Sequence, residues 1–171
     1  DLSMSAVYAR NRELIDDEAD RYFLVRDGVE RPVVGGPDAG TPPLHPDHPN
    51  RGNREIPVVG AVLVEPDDLP PSGERVWLKG LGCVRHVRDA FEATGDGIDV
   101  VRKGDVSVVH WVPSEGSVPV RLRRPTGDET GRAEPAFGDV AVDGMVQFER
   151  VGFARVDSAD GDGTVAYFAH R

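Results

Sequence analysis

Lysine is almost missing from this chain. Only Lys79 and Lys103 occur, so arginine supplies the other 18 of the 20 basic residues, against 30 Asp and Glu. Cysteine is scarcer still. Cys83 stands alone, which excludes an internal disulfide and a cysteine-rich zinc site and fits a cytosolic protein with a small core thiol. No run approaches the roughly 18 uninterrupted apolar residues of a membrane span. Nor does a basic-then-apolar leader pattern open the sequence, so a cytoplasmic location without a membrane partner is expected. A Gly-x-Ser-x-Gly elbow, a phosphate-cradling loop and a dinucleotide fingerprint are also lacking. Taken alone, the chain does not read as an enzyme.

What is present is acid. The formal net charge is −10. Acid excess, scarce lysine and abundant Gly, Ala and Val together look like a cytosolic protein from an extreme halophile. In ordinary salt such acidity argues against nucleic-acid binding, because a phosphate-binding surface is usually basic. Near 1 M salt the screening length is about 3 Å, so net charge no longer repels RNA from a distance. The same salt weakens phosphate contacts, leaving stacking and hydrogen bonds to carry more of the affinity.

The length of 171 residues fits one domain or two small ones sharing a core, and 39% hydrophobic content is enough to fold it. Residues 2–19 read as a helix capped by Ser3 or Ser5, with Met4, Val7, Tyr8, Leu14 and Ile15 near one face. From Arg21 the pattern becomes strand-like: Tyr22–Val25, an Asp-Gly turn at 27–28, then Pro32–Val34. Residues 35–53, rich in Pro, Gly, Asp and His, read as a loop. Strand-like runs follow at 56–64, 75–79, 83–88, 98–101, 106–112, 117–123, 138–142, 145–149, 151–156 and 164–169. The expected fold is mainly β: two small β-barrels sharing strands, preceded by a short N-terminal helix.

Two clusters invite chemistry. His45, Asp47 and His48 contain zinc-type ligands, but no third strong ligand is near, and prolines stiffen both sides. A Pro-braced loop whose side chains cap backbone groups is the favoured reading, and no metal is expected. The acidic turns at Asp96, Asp99, Asp105, Asp157, Asp160 and Asp162 read as solvated charge. The arginines are more promising. Strand alternation buries Val120 and Leu122 and turns Arg121 and Arg123 to the other face. Gln147 and Arg150 flank Phe148 near a strand end, and Trp77 and Lys79 share one side of another strand. Glutamine matches a base's Watson–Crick edge, whereas arginine stacks on a base or clamps a phosphate. Spacing alone leaves open whether these arginines meet RNA or only balance surface acids.

Ser3-Met4-Ser5-Ala6, Tyr8, Asn11-Arg12 and Arg21-Tyr22-Phe23-Leu24-Val25 resemble the junction leading out of the catalytic half of an archaeal-type glutamyl-tRNA synthetase. Pro43-Leu44-His45-Pro46-Asp47-His48-Pro49, Arg51-Gly52 and Arg54-Glu55 are similar to its next loop and strand. Val76-Trp77-Leu78-Lys79, His110-Trp111-Val112 and Gln147-Phe148-Glu149-Arg150 follow in the same order. The resemblance covers essentially the whole chain. It implies the C-terminal anticodon-binding region of class I glutamyl- and glutaminyl-tRNA synthetases.

Residues 1–20 would then be a helical junction from a missing catalytic half. Residues 21–171 would form the proximal and distal barrels that read a glutamate tRNA anticodon loop. By position, Gln147 and Arg150 match residues at the middle uracil, Arg21 an arginine at the anticodon, and Lys79 a cation near the first base. Asn50 matches a loop asparagine near the anticodon stem, and Arg54, Arg121 and Arg123 are counted with the RNA-facing group. Trp77 stands where glutaminyl relatives carry an arginine. The short Leu69–Gly73 turn lacks their basic segment for a third-position guanine, which leans towards glutamate. The resemblance places ATP and Mg in the parent enzyme and no cofactor in this chain.

Overall fold

A computed structural model describes residues 4–160 and 163–170. Helix α1 spans Met4–Glu18. The strands begin with β1 (Asp20–Tyr22), β2 (Leu24–Arg26), β3 (Val29–Val34), β4 (Ala39–Gly40), β5 (Ile56–Pro57) and β6 (Ala61–Val64). There follow β7 (Arg75–Leu78), β8 (Gly82–Val87), β9 (Ala90–Ala93), β10 (Val108–Val109) and β11 (Val112–Pro113). The last are β12 (Val118–Arg123), β13 (Glu129–Ala133), β14 (Met145–Phe148), β15 (Gly152–Asp160) and β16 (Gly163–His170).

They form two seven-stranded sheets. A terminal sheet, drawn from both ends of the chain, runs β1-β14-β15-β16-β12-β13-β2; a central sheet runs β10-β7-β8-β9-β3-β6-β11. The two edges of the terminal sheet, β1 and β2, are consecutive in the chain with only Phe23 between them. The edges of the central sheet, β10 and β11, are likewise consecutive, with only His110 and Trp111 between. Each sheet therefore curls into a barrel-like form, in line with the expected fold class.

The two joints meet. The ring of Phe23 stacks on His110, with centroids 4.9 Å apart and planes 15° apart, and lies 6.3 Å from Trp111. Alternation along residues 22–25 then feeds two cores from one stretch of backbone. Tyr22 and Leu24 join Leu122, Phe137 and Phe148 under the terminal sheet. Phe23 and Val25 join Ile56, Leu78, Phe91 and Trp111 under the central one.

Breaking a strand at Phe23 leaves its buried backbone in need of partners, since unpaired amide groups away from water are costly. Glu134 supplies them. Its carboxylate accepts from the Phe23 N–H at 2.8 Å, and its own N–H donates to the Phe23 carbonyl at 3.4 Å. The other carboxylate oxygen accepts from Arg54 Nε at 2.6 Å, while the Arg54 guanidinium sits 4.7 Å over the Phe23 ring and donates to the Pro43 carbonyl. These side chains are 2% (Arg54) and 0% (Glu134) exposed. Burial pushes the Glu134 carboxyl above its usual range, while Arg54 and the Phe23 N–H draw it back down. Arg54, counted on the sequence with the RNA-facing group, is thus a core residue whose charge is consumed by Glu134.

Other expectations change locally. Residues 98–101 form no strand: Asp99–Arg102 is a short helix with i→i−4 bonds at Arg102 and Lys103, closed by Gly104 in the left-handed region. The run at 138–142 forms no strand either, beginning inside the 3₁₀ turn Pro135–Asp139, which buries Phe137. The 56–64 and 106–112 runs each break in two. Strands β9 and β13 lie outside the expected runs, and β4, paired with β5, lies inside the 35–53 segment read as a loop. Of the two capping candidates, Ser5 lies inside α1 and Ser3 lies outside the described residues. On the expected apolar face Met4, Tyr8 and Leu14 are exposed, and the Ile15 side chain lies outside the described residues.

Removing Arg54 strands the Glu134 carboxylate in the core. Arg54→Ala is expected to lower the unfolding free energy by about 3–5 kcal/mol, the cost of an uncompensated buried charge. Urea denaturation in molar KCl measures it, and a loss below 1 kcal/mol would remove the pair from its structural role.

Candidate nucleic-acid interface

The Gln147–Arg150 segment ends β14 and makes the turn into β15. On the parallel β1/β14 pair, Arg21 stands directly opposite Gln147. Both side chains point outward, because Tyr22, Val146 and Phe148 occupy the core side. Arg21 Nη2 donates to Asp16 Oδ1 at 3.2 Å near the end of α1. Its Nε, however, is held out of solvent without a hydrogen-bond partner, and so is Gln147 Oε1. An unspent donor and an unspent acceptor thus lie on neighbouring register positions. Buried polar groups are normally satisfied, so each calls for an explanation.

Arg150 occupies the left-handed region at φ 66°, an uncommon place for a residue with a side chain. It is held there from the central sheet. Its guanidinium donates to both oxygens of Asp68, at 2.8 and 3.0 Å, and this pairing raises the Arg150 pKa further. Half of the Arg150 side chain remains exposed (49%). Beside it a cleft of about 490 Å³ opens between the sheets, with Asp68, Glu74, Arg75 and Asp105 in its walls.

Between Gln147 and Arg150, the buried Glu149 accepts from Lys79 Nζ through both oxygens, each at 3.1 Å. Lys79 starts the turn after β7, and its carbonyl accepts from Trp111 Nε1 at 2.9 Å. Gly80, next in the chain, has φ 76°, and a Cβ there would lie 2.6 Å from Pro42 N, so only glycine fits behind Lys79. His110 Nε2 lies 3.5 Å from Glu149 Oε2. The β14–β15 turn is therefore fixed to the central sheet at Lys79, His110 and Asp68.

The structure thus brings Arg21, Gln147, Arg150 and Lys79 to one end of the terminal sheet. Trp77 is half-buried on β7, two residues before Lys79. Asn50 is exposed in the 3₁₀ turn Pro49–Arg51, whose loop wraps the end of α1. There His45 Nε2 meets the Asp16 carbonyl at 2.6 Å, His48 meets Asp17 Oδ1 at 2.6 Å, and Arg51 donates to the Asp17 carbonyl. His45 Nδ1 accepts from the Asp47 N–H at 3.2 Å, so both of its ring nitrogens are engaged in bracing this loop. Arg121 and Arg123 do face outward on β12 as the alternation predicts, but three strands away from Gln147. Sequence reasoning missed Glu149, Asp68 and Glu134. Only Glu149, inside the Gln-Phe-Glu-Arg run, carried a local signal.

His110 has a measurable consequence. Burial, followed by the nearby positive charges of Arg150, Lys79 and Arg54, pushes its pKa down to about 3 from 6.5. The unfolded chain takes up a proton below about pH 6.5, and the folded chain resists until about pH 3. The unfolded state binds more protons across that window, so stability should fall as pH drops through it, by up to about 1.4 kcal/mol per pH unit. Denaturant titrations of His110→Phe, which keeps a ring against Phe23, should show a shallower decline between those pH values. An unchanged slope would mean that His110 already carries its proton when folded.

Residues 19–103 match a family described as tRNA synthetases class I (E and Q), anti-codon binding domain, and residues 108–157 match a second family of the same description. The chain is 64% identical over 170 residues to a glutamate–tRNA ligase of Natronomonas pharaonis, covering 99% of the chain and 30% of that relative. It is 57% identical to the Haloarcula marismortui glutamate–tRNA ligase and 37% identical to that of Methanothermobacter thermautotrophicus, each across 99% of the chain and 31% of the relative. The chain spans about a third of the length of these curated relatives. By these matches it belongs to the anticodon-binding domains of the class I (E and Q) tRNA synthetases.

Proposed function

We propose that this chain is the anticodon-reading part of a halophilic glutamate–tRNA ligase working in the cytoplasm, and that Arg21, Gln147 and Arg150 grip the middle anticodon base. The observation that carries the reading is the pair of unspent polar atoms at Gln147 Oε1 and Arg21 Nε on adjacent strands. Both belong to side chains at a sheet surface, and rotation about their χ angles turns them outward. A splayed-out base that offers a donor to Gln147 and an acceptor to Arg21 satisfies both. A wrong base leaves them unpaired, at a cost of about 1–3 kcal/mol. Arg150 adds a guanidinium plane for stacking or a phosphate clamp, in competition with Asp68.

Lys79 and Trp77 would meet the first anticodon base, and Asn50 the anticodon stem. In the whole ligase, a catalytic half using ATP and Mg would charge glutamate tRNA with glutamate. The exposed Met4, Tyr8 and Leu14 of α1 offer that half an apolar contact. Glutamate is favoured over glutamine tRNA by the relatives' names and by the absence of a basic segment at Leu69–Gly73.

In the full-length protein, Gln147→Ala and Arg150→Ala should weaken binding of glutamate tRNA about 5- to 150-fold in molar KCl. Loss should be clearly smaller on a tRNA altered at the middle anticodon base. Equal losses on both RNAs would remove these residues from base reading. Swapping the third anticodon base from cytosine to guanine should weaken wild-type binding; a gain would move the assignment to glutamine tRNA.

A further inference from the structure

The outward side of the terminal sheet continues beyond Gln147. Across β14 and β15 Gln147 faces Phe153, and two residues along β15 stands Arg155. Arg155 is opposite Tyr167 on β16, and Tyr167 is opposite Arg123 on β12. The row therefore reads arginine, tyrosine, arginine across three neighbouring strands. All three point away from the core, since Val156, Ala166 and Leu122 fill the inner side. Arg123 is already in contact with the ring: its guanidinium lies 5.7 Å from the Tyr167 centroid, and Nη1 donates to the hydroxyl at 3.4 Å. Tyr167 is 38% exposed.

The row also carries charge that no acid among the described residues takes up. The sequence holds 30 acids against 20 Lys and Arg, yet among the described residues neither Arg123 nor Arg155 makes an ion pair. Arg124 shows the alternative. It lies 4.3 Å over Phe168 and spends its charge on Glu129 at 3.0 Å. Arg123 and Arg155 remain free to meet an outside anion, and the ring between them has a π-face to offer.

We infer that Tyr167, flanked by Arg123 and Arg155, is a stacking site for an unpaired nucleotide of the bound RNA, separate from the position read by Gln147. The inference rests on the anticodon-reading assignment and extends it. The ring takes the base and the two guanidiniums take the flanking phosphates, a combination that tolerates any base because every base has a π-face. Tyr167 lies two strands from Gln147, about 10 Å across the sheet, so one strand of RNA leaving the Gln147 position passes over it. An acidic protein segment would use the arginines but has no need of the ring between them.

The test uses the full-length protein with glutamate tRNA across a KCl series. Tyr167→Ala should lose about 5- to 150-fold in affinity, by nearly the same factor at every salt concentration, whereas Tyr167→Phe should bind like the wild type. Arg155→Gln should lose affinity by a factor that shrinks as KCl rises, because its contact is with phosphate. A photoreactive phenylalanine at position 167 should cross-link to an unpaired nucleotide. Wild-type affinity in Tyr167→Ala, or equal losses in the Ala and Phe variants, overturns the stacking site. Cross-links to paired nucleotides alone also overturn it. If Gln147→Ala still loses base discrimination in those cases, the anticodon reading stands without it. Failure of the wild-type protein to bind tRNA overturns both. Displacement of the tRNA by poly-L-glutamate in wild type and Tyr167→Ala alike would assign the row to an acidic protein partner and overturn the inference.

Discussion

Phe23 is the residue on which both halves of the molecule turn. It interrupts one strand so that its two pieces can hold opposite edges of the terminal sheet, and its ring stacks on the joint that does the same for the central sheet. Such a break is tolerable only if the freed backbone is satisfied. Glu134 does this, and Arg54 balances Glu134. Because Tyr22 and Leu24 pack in one core and Phe23 and Val25 in the other, neither sheet shifts without disturbing its neighbour. The relative placement of Gln147 on one sheet and Lys79 on the other follows from this joint.

The acidic character takes on a different meaning at the junction of the sheets. Surface pairs such as Arg10–Glu13 are screened in strong salt and contribute little. Arg54–Glu134 and Lys79–Glu149 are shielded from mobile ions by burial of at least one partner, so they persist where surface attraction fades. This acidic fold thus places charge pairs that hold against salt between its sheets. Stacking and hydrogen bonding are left to the outside, where they lose least to salt.

Much of this was legible in the sequence, for identifiable reasons. The alternation in Val118–Arg123 gave both the strand and its outward arginines, and Gln147, Arg150, Lys79 and Arg21 do converge. What the sequence hid was pairing over distance. Arg54 reads locally as a surface cation because its partner Glu134 is 80 residues away. Arg150 and Asp68 are 82 residues apart, and Lys79 and Glu149 are 70 apart. β13, Glu-Thr-Gly-Arg-Ala, has no apolar pattern and is a strand because β12 and β2 flank it. Conversely, the apolar Ile98–Val101 run looks extended but finds no neighbour, and closes its own hydrogen bonds as a helical turn.

The paired joints also bear on how such a β-rich fold resists edge-to-edge association. A sheet edge is a row of unpaired amide groups, ready to template association with another chain. Here β1, β2, β10 and β11 are two or three residues long, and each pair of edges is brought round to a single one- or two-residue bend. Little continuous edge remains for a second molecule to extend. In a concentrated salt solution that promotes apolar association, short, tethered edges protect against fibre-like growth without adding surface charge.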